Sequence, residues 1–379
     1  MYTPSPQGGH AIYTRELLFG LTELGGCSVE LVTCVDAARN GPYVTHAILP
    51  RQRKPGEFVN RLHWAVSRVL YYSRRESMFL RWLREHPTDI VHLQEFTPWL
   101  GKRQIANMRR LGIRVVVTVH NIRPHIRQPG PAGWLLDQMN RAMWRESDCL
   151  VVHSDGLAAQ LSGFLEGRHP PIAVTPHGAW TEMAISQSRS VEPRSPADAD
   201  HLLFFGVLRP NKGVETLLRA LDDLRTVDLT IAGPPADEAY HRLIKRLVGE
   251  QPDGRVFLVD HFISEEDVAS LFRRSDLLVL PYRSFDAQSS VLHLAMTYRL
   301  PVVVTDVGAL GETVRQFGIG EVVSPGDAAQ LASAIRDMLR PHRLEQARRH
   351  LDAARQALSE SAQAKATLDA YYRVRGAGS

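Results

Sequence analysis

Two kinds of hydrophobic pattern alternate along the chain. Short, nearly continuous apolar runs recur at "VELVT" (29–33), "DIVHL" (89–93), "RVVVTV" (114–119), "CLVVH" (149–153) and "IAVTP" (172–176). They resume at "HLLFFG" (201–206), "DLTIAG" (228–233), "RVFLV" (255–259), "DLLVLP" (276–281) and "PVVVTD" (301–306). Apolar runs of this length predict strands buried on both faces of a parallel sheet. Longer helical patterns lie between them, so βαβ units are expected. The segment "AISQSRSVEPRSPADAD" (184–200) breaks the rhythm and reads as a linker. An α/β chain follows: two Rossmann-like, doubly wound parallel-sheet domains facing a cleft, with ligands at the carboxyl ends of strands. The first is expected over 1–183 and the second over 198–356. The start, "MYTPSPQGGH", looks like the end of a strand and a Gly-Gly loop. Either the first strand is very short or the chain begins upstream.

A length of 379 residues also favours two cores over one. No uncharged apolar run reaches about 18 residues, and the N-terminus lacks a basic start followed by an apolar stretch. Neither a spanning helix nor a signal peptide is expected. The three cysteines, Cys27, Cys34 and Cys149, cannot all pair and form no C-x-x-C, which points to a reducing cytoplasm and no structural metal.

Charge changes the picture. Residues 1–180 carry 21 basic and 14 acidic side chains, a surplus of +7, which leaves −3 for the remainder of a net +4 chain. Nine cations fall within 51–84, interleaved with Phe58, Trp64, Leu70, Tyr72 and Phe79. That mixture suits peripheral contact with an anionic membrane, at the inner face for a cytoplasmic protein. A solvated Arg-rich helix over a core is the plainer alternative, because Arg outnumbers Lys 40 to 5 throughout. No base-reading module appears, so nucleic acid is not an expected partner.

Candidate chemistry gathers after two strands of the second half. In "FFGVLRPNKGVETLLRAL" (204–221), Arg209 and Lys212 follow a strand and precede a helix, a good clamp for a diphosphate. In "PYRSFDAQSSVLHLAM" (281–296) a polar loop opens a helix, so the N–H groups of Ser289, Ser290 and Val291 point at a ligand with the helix dipole behind them. Asp286 stands just before that helix as a hydroxyl acceptor or a plain loop carboxylate. Leu294 has no polar chemistry.

These two stretches, the second extended through "TYRLPVVVTDVGALGE", resemble the donor half of family-4 retaining glycosyltransferases of the GT-B fold. "PSPQGGHAIYTRELLFGLTELGGCSVELVT", "DIVHLQ", "VVVTVHN" and "CLVVHSDGLAAQL" resemble the acceptor half, in the right order. The resemblance implies transfer of a sugar from a UDP- or GDP-linked donor, with retention, to a saccharide or lipid-linked saccharide. Polysaccharide or glycoconjugate assembly fits, and a natural-product acceptor stays open. It implies donor-diphosphate binding by Arg209 and Lys212, and backbone approach at Gly8 and Gly9. His120 falls on the family's active-site histidine; on its own it reads as a satisfied loop residue. Phe262 and Ile263 fall where the family holds the base. The last helix, about 357–375, is expected to cross back onto the first domain.

Two departures stand out. Asp286 and Leu294 occupy the positions of the family's two glutamates, which have seven residues between them. Leucine cannot hold a ribose, and losing a charge-assisted bond costs about 1.5–3 kcal/mol if uncompensated. The resemblance implies a metal-free, front-side mechanism without cofactor, in which an already acidic leaving group needs charge neutralisation. The Asp-x-Asp of 198–200 lies in the linker and reads as solvated loop. A nicotinamide or flavin dehydrogenase is disfavoured, since "QGGHA" and "VGALG" both miss G-x-G-x-x-G. A nucleotide-sugar epimerase and a degenerate GT-B scaffold remain as rivals, the latter on the strength of Leu294.

Overall fold

The structure, a computed structural model, describes residues 1–5, 9–37, 41–51, 61–122, 130–178, 200–252, 254–285 and 289–376, with the side chains of 61–66 and 265 left aside. The chain divides into two compact units, Met1–Gly178 with Glu360–Ser379, and Ala179–Ser359.

The first unit holds β1 (Glu30–Cys34), β2 (Val44–Leu49), β3 (Ile90–Leu93), β4 (Arg114–Thr118), β5 (Cys149–Val152) and β6 (Ile172–Val174). β1 pairs with β2, β3 through β6 pair in sequence, and every pairing is parallel. Tyr2 joins the two sets through parallel bridges to Val32 and Leu93. Its N–H donates to His92 O at 2.9 Å, and Val32 N donates to Met1 O at 2.9 Å. Tyr2 thus takes the place of a first strand through isolated bridges alone. It sets the order third, second, first, fourth, which reverses between Tyr2 and β3.

Helices α1 (Gly9–Leu24), α2 (Arg61–Glu85), α3 (Pro98–Arg110), α4 (Pro131–Glu146) and α5 (Asp155–Leu165) belong to this unit. The last helix of the chain, Glu360–Gly376, belongs to it too. One face of the sheet is sealed by Tyr13, Leu17 and Leu21 of α1 with Ala364, Leu368 and Tyr371 of that last helix. Gly20 permits the contact: a Cβ there would lie 2.7 Å from Glu360 O.

The second unit orders its strands β12-β11-β10-β7-β8-β9, all parallel. These are β7 (Asp200–Phe205), β8 (Val227–Ala232), β9 (Val256–Val259), β10 (Leu277–Leu280), β11 (Val302–Thr305) and β12 (Gly320–Val323). The order reverses between β7 and β10. Helices α6 (Val214–Ala220), α7 (Glu238–Gly249), α8 (Glu265–Arg273), α9 (Ser290–Thr297), α10 (Leu310–Phe317), α11 (Ala328–Met338) and α12 (Pro341–Ala357) connect them. The last helix is α13.

The hydrophobic pattern misses β2 and β12. Both are edge strands, so neither needs a continuous apolar run: β2 is mostly half-buried and β12 carries Glu321. The expected double burial of 255–259 also fails. β9 is an edge strand with no fully buried residue, and Phe257 stands exposed. Asp200 opens β7 at its exposed end, whereas Asp198 and the linker over 184–199 lie outside the described residues.

Candidate active site

In the second unit the loops after β7 and β10 flank the point where strand order reverses, the place where open α/β sheets bind ligands. Pro210–Lys212 makes one tight helical turn that ends at Gly213 with φ 66°. Only glycine suits that position twice over: the backbone is left-handed, and a Cβ would strike the carbonyl oxygen of Pro281. The two loops are tied together. Arg283 N donates to Asn211 O at 2.8 Å and Asn211 Nδ2 donates to Ser284 O at 3.2 Å. The Arg283 guanidinium pairs with Glu215 of α6 at 2.8 Å, and Tyr240 Oη donates to the same carboxylate at 2.7 Å.

That carboxylate is thus committed, and no other described acidic side chain pairs with the cations at 209 and 212. Lys212 Nζ sits 3.5 Å from the ring centroid of Tyr282 and 4.5 Å from that of Phe285. Aromatic faces hold the ammonium in place without neutralising it. Neither Arg209 nor Lys212 forms an ion pair among the described residues. Ser289 is the N-cap of α9 and makes no side-chain cap bond. Leu292 N donates to Ser289 O at 2.9 Å, whereas the N–H groups of Ser290 and Val291 have no acceptor among the described residues.

The first unit builds a different surface. His10 at the start of α1, Glu95 after β3, His120 after β4, His153 after β5 and His177 after β6 all lie at the carboxyl ends of the parallel strands. The His10 and His120 rings stack at 4.3 Å. Tyr13, one turn into α1, touches the rings of His120, His153 and His177 at 5.0–5.1 Å. Glu95 faces His10 Nδ1 at 3.1 Å and accepts from Ser5 Oγ at 2.7 Å. Burial alone would raise the Glu95 carboxyl, but bonds from His10 and Ser5 and the charge of Arg75 outweigh it and hold it lowered. Burial, then the neighbouring His10, His153, His177 and His92, push His120 well below 6.5. Burial takes His153 down to about 4. His120 and His153 are therefore neutral imidazoles, set beside one carboxylate held ionised.

The structure brings Arg209, Lys212, Ser289, Ser290 and Val291 to one end of the second sheet. Phe262 and Ile263 follow β9 at that end, Phe262 at 71% exposure and Ile263 buried. Gly9 begins α1, and His120 sits in the histidine cluster. Gly8 and Asp286 lie outside the described residues. Leu294 is buried in α9. Sequence reasoning passed over His10, Glu95, His153 and His177. The signal was there: each polar residue closes or directly follows an apolar run, or follows the Gly-Gly pair. Among the described residues no three His, Cys, Asp or Glu side chains converge as a metal site.

Comparison with known proteins fits these two halves. Residues 8–178 match the family model described as glycosyl transferase 4-like domain, and residues 199–341 match glycosyl transferases group 1. The chain is 26% identical over 275 residues to GDP-mannose:glycolipid 4-beta-D-mannosyltransferase of Xanthomonas campestris pv. campestris, covering 70% of each. Its fold is similar to that of sucrose-phosphate synthase from Thermosynechococcus elongatus, with a TM-score of 0.77 at 23% identity, covering 98% of this chain and 94% of that one. Anabaena HepE, solved with UDP and glucose, gives 0.70 at 16% identity and 98% coverage of both.

Two measurements test the site. Buried histidines that are neutral when folded regain ordinary affinity for protons, near 6.5, when unfolded. Stability is therefore complete above pH 6.5 and falls as pH drops toward the folded values, by up to about 2 kcal/mol per such histidine at pH 5. Urea midpoints should be level from pH 8 to 6.5 and drop below it; a midpoint unchanged at pH 5 contradicts the neutral cluster. Gly213→Ala should destabilise by more than the about 1–2 kcal/mol of a left-handed residue, because the Pro281 carbonyl must also move. An unchanged thermal midpoint would refute that tie.

Proposed function

We infer the reaction from one premise, that this chain is a family-4 glycosyltransferase of the GT-B fold. We propose that it moves a sugar, with retention, from a UDP- or GDP-linked donor to a saccharide or lipid-linked saccharide in polysaccharide or glycoconjugate assembly. The observation that carries the proposal is the pair of uncompensated cations, Arg209 and Lys212, beside the α9 N-terminus at the switch point of the second unit. A departing nucleoside diphosphate needs negative charge neutralised, and fixed cations plus helix N–H groups do this without reorganising.

The electrostatics divide the labour. The second unit offers positive charge, which suits phosphates. The first offers the neutral imidazoles of His120 and His153 and an ionised Glu95, which suit hydroxyls. Glu95 is engaged by His10 and Ser5, so among the described residues of that cluster no free carboxylate stands ready as a nucleophile. His120 is a weak base and orients a hydroxyl; the acceptor proton goes to a donor phosphate oxygen, and no metal takes part. The donor class draws on a relative named for GDP-mannose and a neighbour solved with UDP. The lipid-linked acceptor draws on the relative's glycolipid. A scaffold without turnover is the second reading, favoured by the buried leucine at 294.

Lys212→Ala and Arg209→Ala should each lower transfer at least about 100-fold while circular dichroism is unchanged. Near-normal turnover in both variants would sink the diphosphate clamp. The wild type should keep its activity in EDTA, and the product should retain the donor's anomeric configuration by NMR. If no nucleotide sugar in a broad panel supports transfer, the scaffold reading wins.

We also propose peripheral docking of the first unit on an anionic bilayer. One stripe of α2 leaves Leu70, Arg74, Ser77, Arg81 and Arg84 exposed at helical spacing, with Val69 beside it. Trp99 at the start of α3 is exposed too; its ring meets Tyr72 edge-on at 5.3 Å, and the Arg68 guanidinium lies 5.7 Å from it. Apolar and aromatic groups next to arginine suit a headgroup layer. Co-sedimentation with phosphatidylglycerol-containing vesicles should exceed that with neutral vesicles and weaken in Arg74→Glu/Arg81→Glu. Binding indifferent to anionic lipid removes the docking proposal.

A further inference from the structure

A chain of hydrogen bonds runs under His120 from the last helix. Tyr371 Oη of α13 lies 2.6 Å from His92 Nδ1. His92 Nε2 lies 2.7 Å from Thr118 Oγ1 and 3.4 Å from Gln94 Nε2. Gln94 Oε1 lies 3.2 Å from His120 Nε2. His92 and Gln94 are each 1% exposed, so water does not complete these bonds.

The protons can be assigned from the chemistry of the partners. The Gln94 amide nitrogen faces Met1 Sδ at 3.8 Å. A thioether sulfur carries no hydrogen, so the group facing it is the NH2 and the carbonyl faces His120. A carbonyl only accepts, so His120 Nε2 carries the hydrogen. The same NH2 faces His92 Nε2 at 3.4 Å, so that nitrogen is bare, and its one lone pair accepts chiefly from the Thr118 hydroxyl at 2.7 Å. The single proton of neutral His92 is left on Nδ1 and is donated to Tyr371 Oη. Burial keeps His92 neutral, lowering it to about 3.

We infer that Gln94 is a positioning residue that fixes His120 in the Nε2–H tautomer and leaves its Nδ1 as a hydrogen-bond acceptor. Nδ1 makes no hydrogen bond among the described residues. The ligand atom it receives is a donor, as a sugar hydroxyl is, and not a phosphate or carbonyl oxygen. This last step rests on the reading that the first unit binds a sugar. The tautomer itself does not, and it gives α13 a chemical role: a residue 279 positions away from His92 in sequence closes the chain.

The test is long-range proton–nitrogen NMR of the full chain carrying 15N-histidine, with the His120 signals identified by their loss in His120→Asn. The wild type should show His120 protonated at Nε2 and bare at Nδ1. Gln94→Leu, close in size, should mix the two tautomers while the urea midpoint stays within the folded range. A wild-type His120 protonated at Nδ1, or a Gln94→Leu spectrum that keeps the pure Nε2–H form, overturns the assignment. Tyr371→Phe provides an independent check: the His92 proton should stay on Nδ1 but lose its acceptor and shift its resonance, and an unaltered His92 spectrum counts against the chain. Where transfer is measurable, Gln94→Leu should lower kcat about 10- to 100-fold with little change in donor KM, the signature of misplacement. No spectrum requires a sugar donor. Failure to find any transfer therefore rejects the proposed reaction alone, and a wrong tautomer rejects this inference alone.

Discussion

A parallel sheet buried on both faces imposes one constraint from which the rest follows. Each strand must be reached by a crossover, so most strands end where a helix begins, β1, which runs on to β2, being an exception. Strand carboxyl ends and helix N-termini share one rim, and all βα loops lie along it. Where strand order reverses, adjacent crossovers leave in opposite directions and a crevice opens. Both units have such a reversal, between Tyr2 and β3 in one and between β7 and β10 in the other. The polar residues of interest collect at these two rims because the core offers no other place for them.

The same rim is given opposite electrostatic character in the two units. In the second, Glu215 pairs with Arg283 and accepts from Tyr240, and Arg209 and Lys212 form no ion pair among the described residues. Aromatic rings locate the lysine without cancelling it. In the first, burial discharges His120 and His153, and Glu95 is held ionised by donors. Neutral rings are a poor site for phosphate and a good one for hydroxyl groups.

How much of this the sequence reveals depends on what each element must bury. Central strands such as 277–280 and 302–305 are buried at every residue, apolar at all but Thr305, and are legible at once. β2 and β12 are edges, and their mixed residues look like loops. The cations at 209 and 212 are legible because a glycine and a helix start follow them at close spacing. The histidine cluster is not, because His10, His120 and His177 are more than 50 residues apart from one another and meet only when the strands align. The Tyr371–His92 contact has no local signal at all, since it depends on a helix returning from the far end of the chain.

Leu294 shows why a departure from a family pattern need not mean a broken site. It lies in a helix whose residues 292–297 are all buried, and its own side chain is 5% exposed. A carboxylate at such a place requires a donor or a cation in contact, or burial drives it to the neutral form. Leucine removes that requirement and adds apolar packing. What α9 keeps is its N-terminus, where the N–H groups of Ser290 and Val291 belong to the backbone and do not depend on any side chain. Packing at 294 and the polar character of the helix start are physically separable, and substitution at 294 does not touch the second.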